Sequence, residues 1–201
     1  MRKSTTPKDF DQKIIGICGN ARSGKDTLAN NIVEILKEQG IKSKVLSFAN
    51  ELKESVNGFL IEKTGISAFT EDEEQKKLIR PFLVCWGTDI MRSINDNIWI
   101  EKLNNNLCSD CVNIITDVRF ENEINWIKEM GGLSIFIERD GVNPANKYEE
   151  ENNKKLSRVV DLRFHTTTFE DPKLIFLTSN EILDKLINID IYKKWKATCH
   201  L

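Results

Sequence analysis

Gly19 and the pair Gly24-Lys25 stand five residues apart, between an apolar run and a segment of helical period. The run Ile14 to Cys18 has the length of a buried strand. Leu28, Ile32, Val33, Ile35 and Leu36 mark one face of the helix that follows, and Gly40 stops it. Glycines let a backbone turn tightly, a helix start presents unpaired N–H groups, and a lysine there supplies a point charge. Together these bind phosphate, in the pattern G-x-x-x-x-G-K of a P-loop. Gly19, Asn20, Ala21, Arg22, Ser23, Gly24, Lys25, Asp26 and Thr27 are therefore expected to hold the phosphates of ATP. Within them, Arg22 either touches phosphate or faces solvent.

Asp26 stands where a serine or threonine normally meets Mg²⁺. A carboxylate ~4 Å from a phosphate oxygen repels it by ~4 kcal/mol at an effective dielectric of 20. A Mg²⁺ between them reverses the sign, and a carboxylate is a good hard-oxygen ligand for that ion. Asp26 is thus expected to bind Mg²⁺ directly or through water. Thr27 lies one residue further round the helix, within reach of an α-phosphate. Asp117 closes the apolar run VNIITD. Ligands of open α/β sheets sit at the carboxyl ends of strands, so Asp117 is placed as an outer Mg²⁺ ligand and Arg119 for a second phosphate group. Asp117 has a second reading as the cap of the next helix.

Further cations lie elsewhere. Arg80 and Arg92 flank Trp86, with Trp99 beyond. Arginine pairs bidentately with phosphate and aromatics stack on bases, though tryptophans more often pack in cores. Arg139, Arg158 and Arg163 flank or occupy a long polar segment, where mobile arginines can stabilise the charge of phosphoryl transfer. His165 ends that segment, and His200 has no evident role.

The elements that must position these groups alternate between strand and helix. Strands are expected at 13–18, 43–48, 112–117, 133–138 and 173–178, and helices at 25–39 and 50–63. Thr70 to Glu73 has capping-box spacing and opens another helix, which Pro81 breaks or kinks. Residues 82–107 continue as helix in one or two pieces. A helix at 121–130 ends at Gly131-Gly132, and a last one starts near Glu181. Residues 140–171 carry no sustained apolar period and read as a mobile lid. Such alternation implies a parallel sheet covered on both faces.

The chain has 201 residues and a net charge of −2, with 40% hydrophobic and 30% charged residues. This suits one domain, 13–201, behind a polar leader at 1–12, and argues against an electrostatic nucleic-acid binder. No apolar run approaches the ~18 residues of a membrane span, and the first residues lack the apolar core of a secretory signal, so a cytoplasmic place is expected. Of five cysteines, Cys18 and Cys85 read as core thiols. Cys108 and Cys111 form a lone C-x-x-C ahead of a strand, without the further ligands of a zinc site, and read as ordinary thiols.

GNARSGKDT, SFANELKE, RPFLVCWGTDIMR with NIWIEKL, and IITDVRFENEINWIKEMGG together resemble the deoxynucleoside monophosphate kinases of tailed bacteriophages. The resemblance spans about residues 13–140 and, more weakly, extends to 188. It implies a three-layer α/β P-loop kinase core with a five-stranded parallel sheet, a helical acceptor-binding region at 50–107 and a lid at 140–171. It also implies transfer of the γ-phosphoryl of ATP·Mg²⁺ to a deoxynucleoside monophosphate. That family carries G-K-D-T in its loop, so Asp26 matches it. Asp117, Arg119, Asn122 and Glu123 match its D-x-R-x-x-N-E signature, which gives Arg119 the acceptor phosphate. Arg80 and Arg92 match arginines around Gly87-Thr88-Asp89 and would line the acceptor site with Trp86 and Asp117. Lys25, Arg119, Arg139 and Arg163 are the expected catalytic cations. Asn50 departs from an acid common in the family, and His165-Thr166-Thr167-Thr168 departs from H-x-[ST]-E. The alternatives are a kinase of another small acceptor, such as dephospho-coenzyme A, and a nucleotide-binding module without transfer. A dimer suits this class, and no interface is legible.

Overall fold

The computed structural model describes residues 13–144 and 147–166. In chain order it contains β1 (Ile14–Gly19), α1 (Lys25–Glu38), β2 (Ser43–Leu46), α2 (Phe48–Thr64) and α3 (Glu73–Val84). A π-helical segment (Cys85–Met91), α4 (Arg92–Ile94), α5 (Ile98–Asn104), β3 (Val112–Val118) and α6 (Glu121–Glu129) follow. β4 (Leu133–Arg139), α7 (Lys147–Val159) and β5 (Leu162–Thr166) complete the described chain. The chain divides into two compact units, Met1–Val45 with Cys108–Leu201, and Leu46–Leu107.

The first unit is a sheet in the order β2-β3-β1-β4-β5. β1 runs parallel to both β3 and β4, and β4 runs parallel to β5. Ile15, Ile17, Ile114, Ile135 and Ile137 join Leu28 and Ile32 of α1 in one buried cluster. Each such side chain contributes about 1.5–3 kcal/mol when fully buried. α6 lies against β1: a Cβ on Gly16 would stand 2.3 Å from Ile127 Cδ1. The helix is admitted there because Gly16 has no side chain. The three-layer α/β core expected from the alternation is therefore present.

The sheet has the five strands expected, one of them at a position not foreseen. The stretch 173–178 lies outside the described residues, and the described fifth strand is β5. The segment expected to form a lid, 140–171, contains α7 and β5 among its described residues. Leu162 and Phe164 pack on the sheet core while Arg163 and His165 are exposed, which is one-sided burial of an edge strand.

The second unit is helical. Ser47 caps α2 by accepting the Asn50 N–H, and Gly65 ends it in a left-handed conformation with its N–H on the Ile61 carbonyl. α3 starts at Glu73 because Asp72, rather than Thr70, accepts the Gln75 N–H at 2.9 Å. Thr70 instead pairs through its side chain with Gln75. The helix passes through Pro81 and then widens into the π-helical segment. Val56, Leu60, Ala68 and Ile79 form the core of this unit, with Phe82 and Trp86 packed on it. Trp99 is buried and donates its indole N–H to the Gly87 carbonyl at 2.9 Å. It is a packing residue.

The cysteines bring another correction. Cys108 and Cys111 are joined as a disulfide, not held as separate thiols. Cys85 is exposed rather than a core thiol, whereas Cys18 is buried as expected.

Candidate active site

The loop between β1 and α1 owes its form to Gly19. Its φ is +141°, and an added Cβ would stand 2.2 Å from the Ile137 carbonyl oxygen of β4. A side chain is excluded both by conformation and by the neighbouring strand. Arg22 takes φ 64°, a left-handed conformation uncommon outside glycine, and its side chain is exposed. Gly24 is the N-cap of α1 at φ 94° and has no side-chain cap, unlike Ser47 and Asp72 at α2 and α3. The first N–H groups of α1 are therefore left for a ligand, at the positive end of the helix dipole. Ser23 is fully buried within this loop, and its hydroxyl has no partner.

Lys25 folds back into the loop. Its Nζ donates to the Gly19 carbonyl at 3.0 Å and the Asn20 carbonyl at 2.6 Å. Burial pushes its pKa down, and the charge of Arg119 pushes in the same direction. Asp26, Glu149 and Cys18 oppose the shift. Lys25 and Arg119 thus repel one another electrostatically. Burial of Cys18, just before the loop, raises its thiol to about 12, so it stays protonated and donates to the Ile135 carbonyl.

Sheet register places the remaining groups of this unit. β1 lies between β3 and β4, so the strand order reverses on either side of it, and ligands bind at such a switch point. Cys18 is level with Val118, which puts Asp117 and Arg119 at the carboxyl end of β3 beside the loop. Gly19 is level with Ile137, and Arg139 ends β4 two residues beyond. Arg163 is aligned with Phe136 on β5, one strand further out than Arg139. His165, also on β5, stands 2.8 Å from Asp140 and 3.6 Å from Glu138. Arg158 is exposed on α7.

Asp117 does not cap α6. Instead Glu123, which is 2% exposed, accepts the Arg119 N–H at 2.7 Å and the Phe120 N–H at 3.0 Å through Oε2. A carboxylate on two N–H groups fixes the turn that carries Arg119. Among the described residues no group of three or more His, Cys, Asp or Glu side chains forms a ready metal cage. Mg²⁺ commonly takes only one or two protein carboxylates, the rest being phosphate and water. The donor set Asp26 and Asp117 fits that habit.

In the helical unit, Arg80 is exposed on α3. Arg92 is buried, and its Nη1 donates to the Asp96 carbonyl at 3.0 Å and the Asp96 carboxylate at 3.1 Å. Trp86 stacks on Phe82, which stacks on Phe59, with centroid distances of 6.4 and 5.9 Å. Its indole N–H donates to Ser55 Oγ at 3.3 Å.

Two positions escaped the sequence reading. Asn153 of α7 donates to Asn20 Oδ1 at 2.5 Å, and Asn152 donates to the Arg119 carbonyl. Neither has a spacing or neighbour that marks it in a stretch of polar residues. Glu123 had a signal, an acid at the third helical position, from which a side chain can reach back to the helix start.

A phosphate loop of this form, feeding a helix at the switch point of an α/β sheet, defines a P-loop nucleotide-binding fold. The model of the family described as phosphomevalonate kinase matches residues 17–132. A protein of Acanthamoeba polyphaga mimivirus described as "Putative deoxynucleotide monophosphate kinase" is 32% identical over 160 residues, which is 69% of this chain and 80% of the relative. Among solved structures, Mycobacterium tuberculosis APS kinase CysC in complex with AMPPNP and APS superposes at TM-score 0.42 and 16% identity, covering 87% of this chain and 97% of that one. Shikimate kinase from Aquifex aeolicus gives TM-score 0.42 and 14% identity, covering 88% and 95%. Within the P-loop kinases, the chain belongs to the family that the phosphomevalonate kinase model describes and to the sequence family of the mimiviral relative.

Proposed function

We propose that this kinase transfers the γ-phosphoryl of ATP to a deoxynucleoside monophosphate, giving ADP and a deoxynucleoside diphosphate. The observation that carries the reading is that two cations, Lys25 after the loop from β1 and Arg119 just past the end of β3, lie near enough for Arg119 to lower the Lys25 pKa, with β1 and β3 adjacent in the sheet. One cation suits the donor phosphates and the other an acceptor phosphate. The name of the mimiviral relative supports the acceptor class. An acceptor phosphate oxygen is already a competent nucleophile, so the chain needs no general base. Catalysis is positioning and charge neutralisation. Mg²⁺, when bound, neutralises phosphate charge, and Asp26 and Asp117 would hold it. Lys25 and the first N–H groups of α1 bind the donor phosphates. Arg119 orients the acceptor, and Arg139 and Arg163 supply further positive charge. Arg80, Trp86 and Arg92 belong to the acceptor side in this reading, which rests on the match of their motif. Residues 50–107 form the acceptor region and 140–171 the lid, within one kinase domain at 13–201. Host cytoplasm is the expected place of action.

A second reading follows from the matching family model, which names phosphomevalonate. It shares a phosphomonoester acceptor and the absence of a general base, and differs only in what carries the phosphate. ADP release with ATP·Mg²⁺ is to be measured against ribo- and deoxynucleoside monophosphates and phosphomevalonate, with Lys25→Ala as control. Lys25-dependent turnover preferring a deoxynucleotide bears out the first reading. Turnover on phosphomevalonate alone replaces it with the second. ATP binding without turnover on any acceptor defeats both and favours a binding module.

A further inference from the structure

Asn20 is a hub of the phosphate loop. Its carbonyl accepts Lys25 Nζ at 2.6 Å and the Ser23 N–H at 3.2 Å, its Oδ1 accepts from Asn153 at 2.5 Å, and its Nδ2 donates to the Val142 carbonyl at 3.2 Å. The next residue along α7, Asn152, donates to the Arg119 carbonyl. Adjacent residues on one helix thus hold the loop that carries Lys25 and the turn that carries Arg119. The turn is braced from its other side by Glu123, which takes the Arg119 and Phe120 N–H groups. The loop is braced by Val142.

We propose that Asn152 and Asn153 are positioning residues that together set the spacing between the phosphate loop and Arg119. The inference rests on the kinase reading above, in which those two sites hold donor and acceptor phosphates. Neither asparagine touches substrate. Each holds a backbone or side-chain group whose place fixes a catalytic cation. In-line transfer needs the two phosphates at contact distance, and a misplacement of about 1 Å costs on the order of a hundredfold in rate. α7 is suited to the task because its two prongs are adjacent residues of one helix. Leu156, fully buried, seats the helix independently of either amide. Removal of one amide therefore leaves α7 docked.

The test compares wild type with Asn152→Ala, Asn153→Ala and the double variant. At saturating ATP·Mg²⁺ and acceptor, each single change is expected to lower kcat for transfer by about ten- to a hundredfold. Affinity for ATP·Mg²⁺, read by calorimetry, is expected to hold within about twofold, because Lys25 and the α1 terminus remain. ATP hydrolysis without transfer should fall less than transfer does, so the fraction of ATP lost to water rises. That ratio is blind to a reduced amount of folded enzyme, which a merely structural role would produce. Because a clamp needs both prongs, the double variant should lose no more than the worse single. Transfer and hydrolysis falling in proportion, or a double loss equal to the product of the singles, overturns the proposal. If wild-type protein transfers to no nucleoside monophosphate, the kinase reading fails separately. Amide hydrogen exchange then decides on the clamp: faster exchange at 19–24 in Asn153→Ala, with β4 unchanged, supports it, and unchanged exchange at 19–24 overturns it.

Discussion

Lys25 sits between two carbonyls, with burial and Arg119 both disfavouring its charge. Its folded pKa therefore lies below the 10.5 of an unperturbed lysine. The sign for stability follows: the unfolded chain binds this proton more tightly, so stability rises with pH between the lowered folded value and 10.5. A phosphate anion in the loop favours the charged form and moves the pKa back up. ATP·Mg²⁺ binding is thus expected to take up a proton as pH approaches the lowered value, and affinity should fall on the alkaline side before 10.5. Calorimetry in buffers of different ionisation enthalpy reads that uptake. Lys25→Arg, which stays charged, should show flat affinity over the same range. Flat affinity in the wild type as well would mean that Lys25 does not meet the phosphates. The loop residues were legible from spacing because G-x-x-x-x-G-K is a local pattern of backbone freedom and charge. The asparagines were not, because their partners Asn20 and Arg119 lie 133 and 33 residues away.

At the scale of elements, the turn from β3 into α6 carries Arg119, proposed above to meet the acceptor phosphate, and depends on one buried carboxylate. Glu123→Ala would leave the Arg119 and Phe120 N–H groups without their acceptor. Each unsatisfied buried donor costs about 1–3 kcal/mol, and some water will enter the space left, so a loss of about 2–3 kcal/mol is expected in denaturant unfolding. Acceptor KM should rise while ATP affinity stays near wild type, because α1 is untouched. A variant as stable as wild type would show that the turn is held by other contacts. Elements with several apolar positions at one period were readable: β1, α1, β3, α6 and β4 all bury such rows. α7 was not, because its sequence is almost entirely polar and Leu156 is its one buried residue among those described. β5 was missed for a related reason, since only Leu162 and Phe164 pack inward and its other described side chains are exposed. Pro81 does not break its helix, which continues through it to Val84.

For the whole molecule, a kinase poised for donor nucleotide should gain stability from it in proportion to occupancy. At a concentration about 100 times its Kd, a ligand specific to the folded state adds about 2.7 kcal/mol. For a chain of this length that raises Tm by about 5–10 °C. Removing Mg²⁺ with a chelator should shrink the shift, because Asp26 then faces phosphate oxygens without the cation between them. Asp26→Asn is expected to narrow the gap between the metal-bound and metal-free shifts, since its amide no longer repels phosphate. Lys25→Ala should abolish most of the shift under both conditions. These three responses separate a loop that binds nucleotide through metal and lysine from one that merely tolerates an anion at a helix start. Inorganic phosphate producing the same Mg²⁺-dependent, Lys25-dependent shift would reduce the site to a general anion site. A shift seen with ATP and not with phosphate would mean that contacts beyond the phosphates contribute, which a kinase selective for its donor requires.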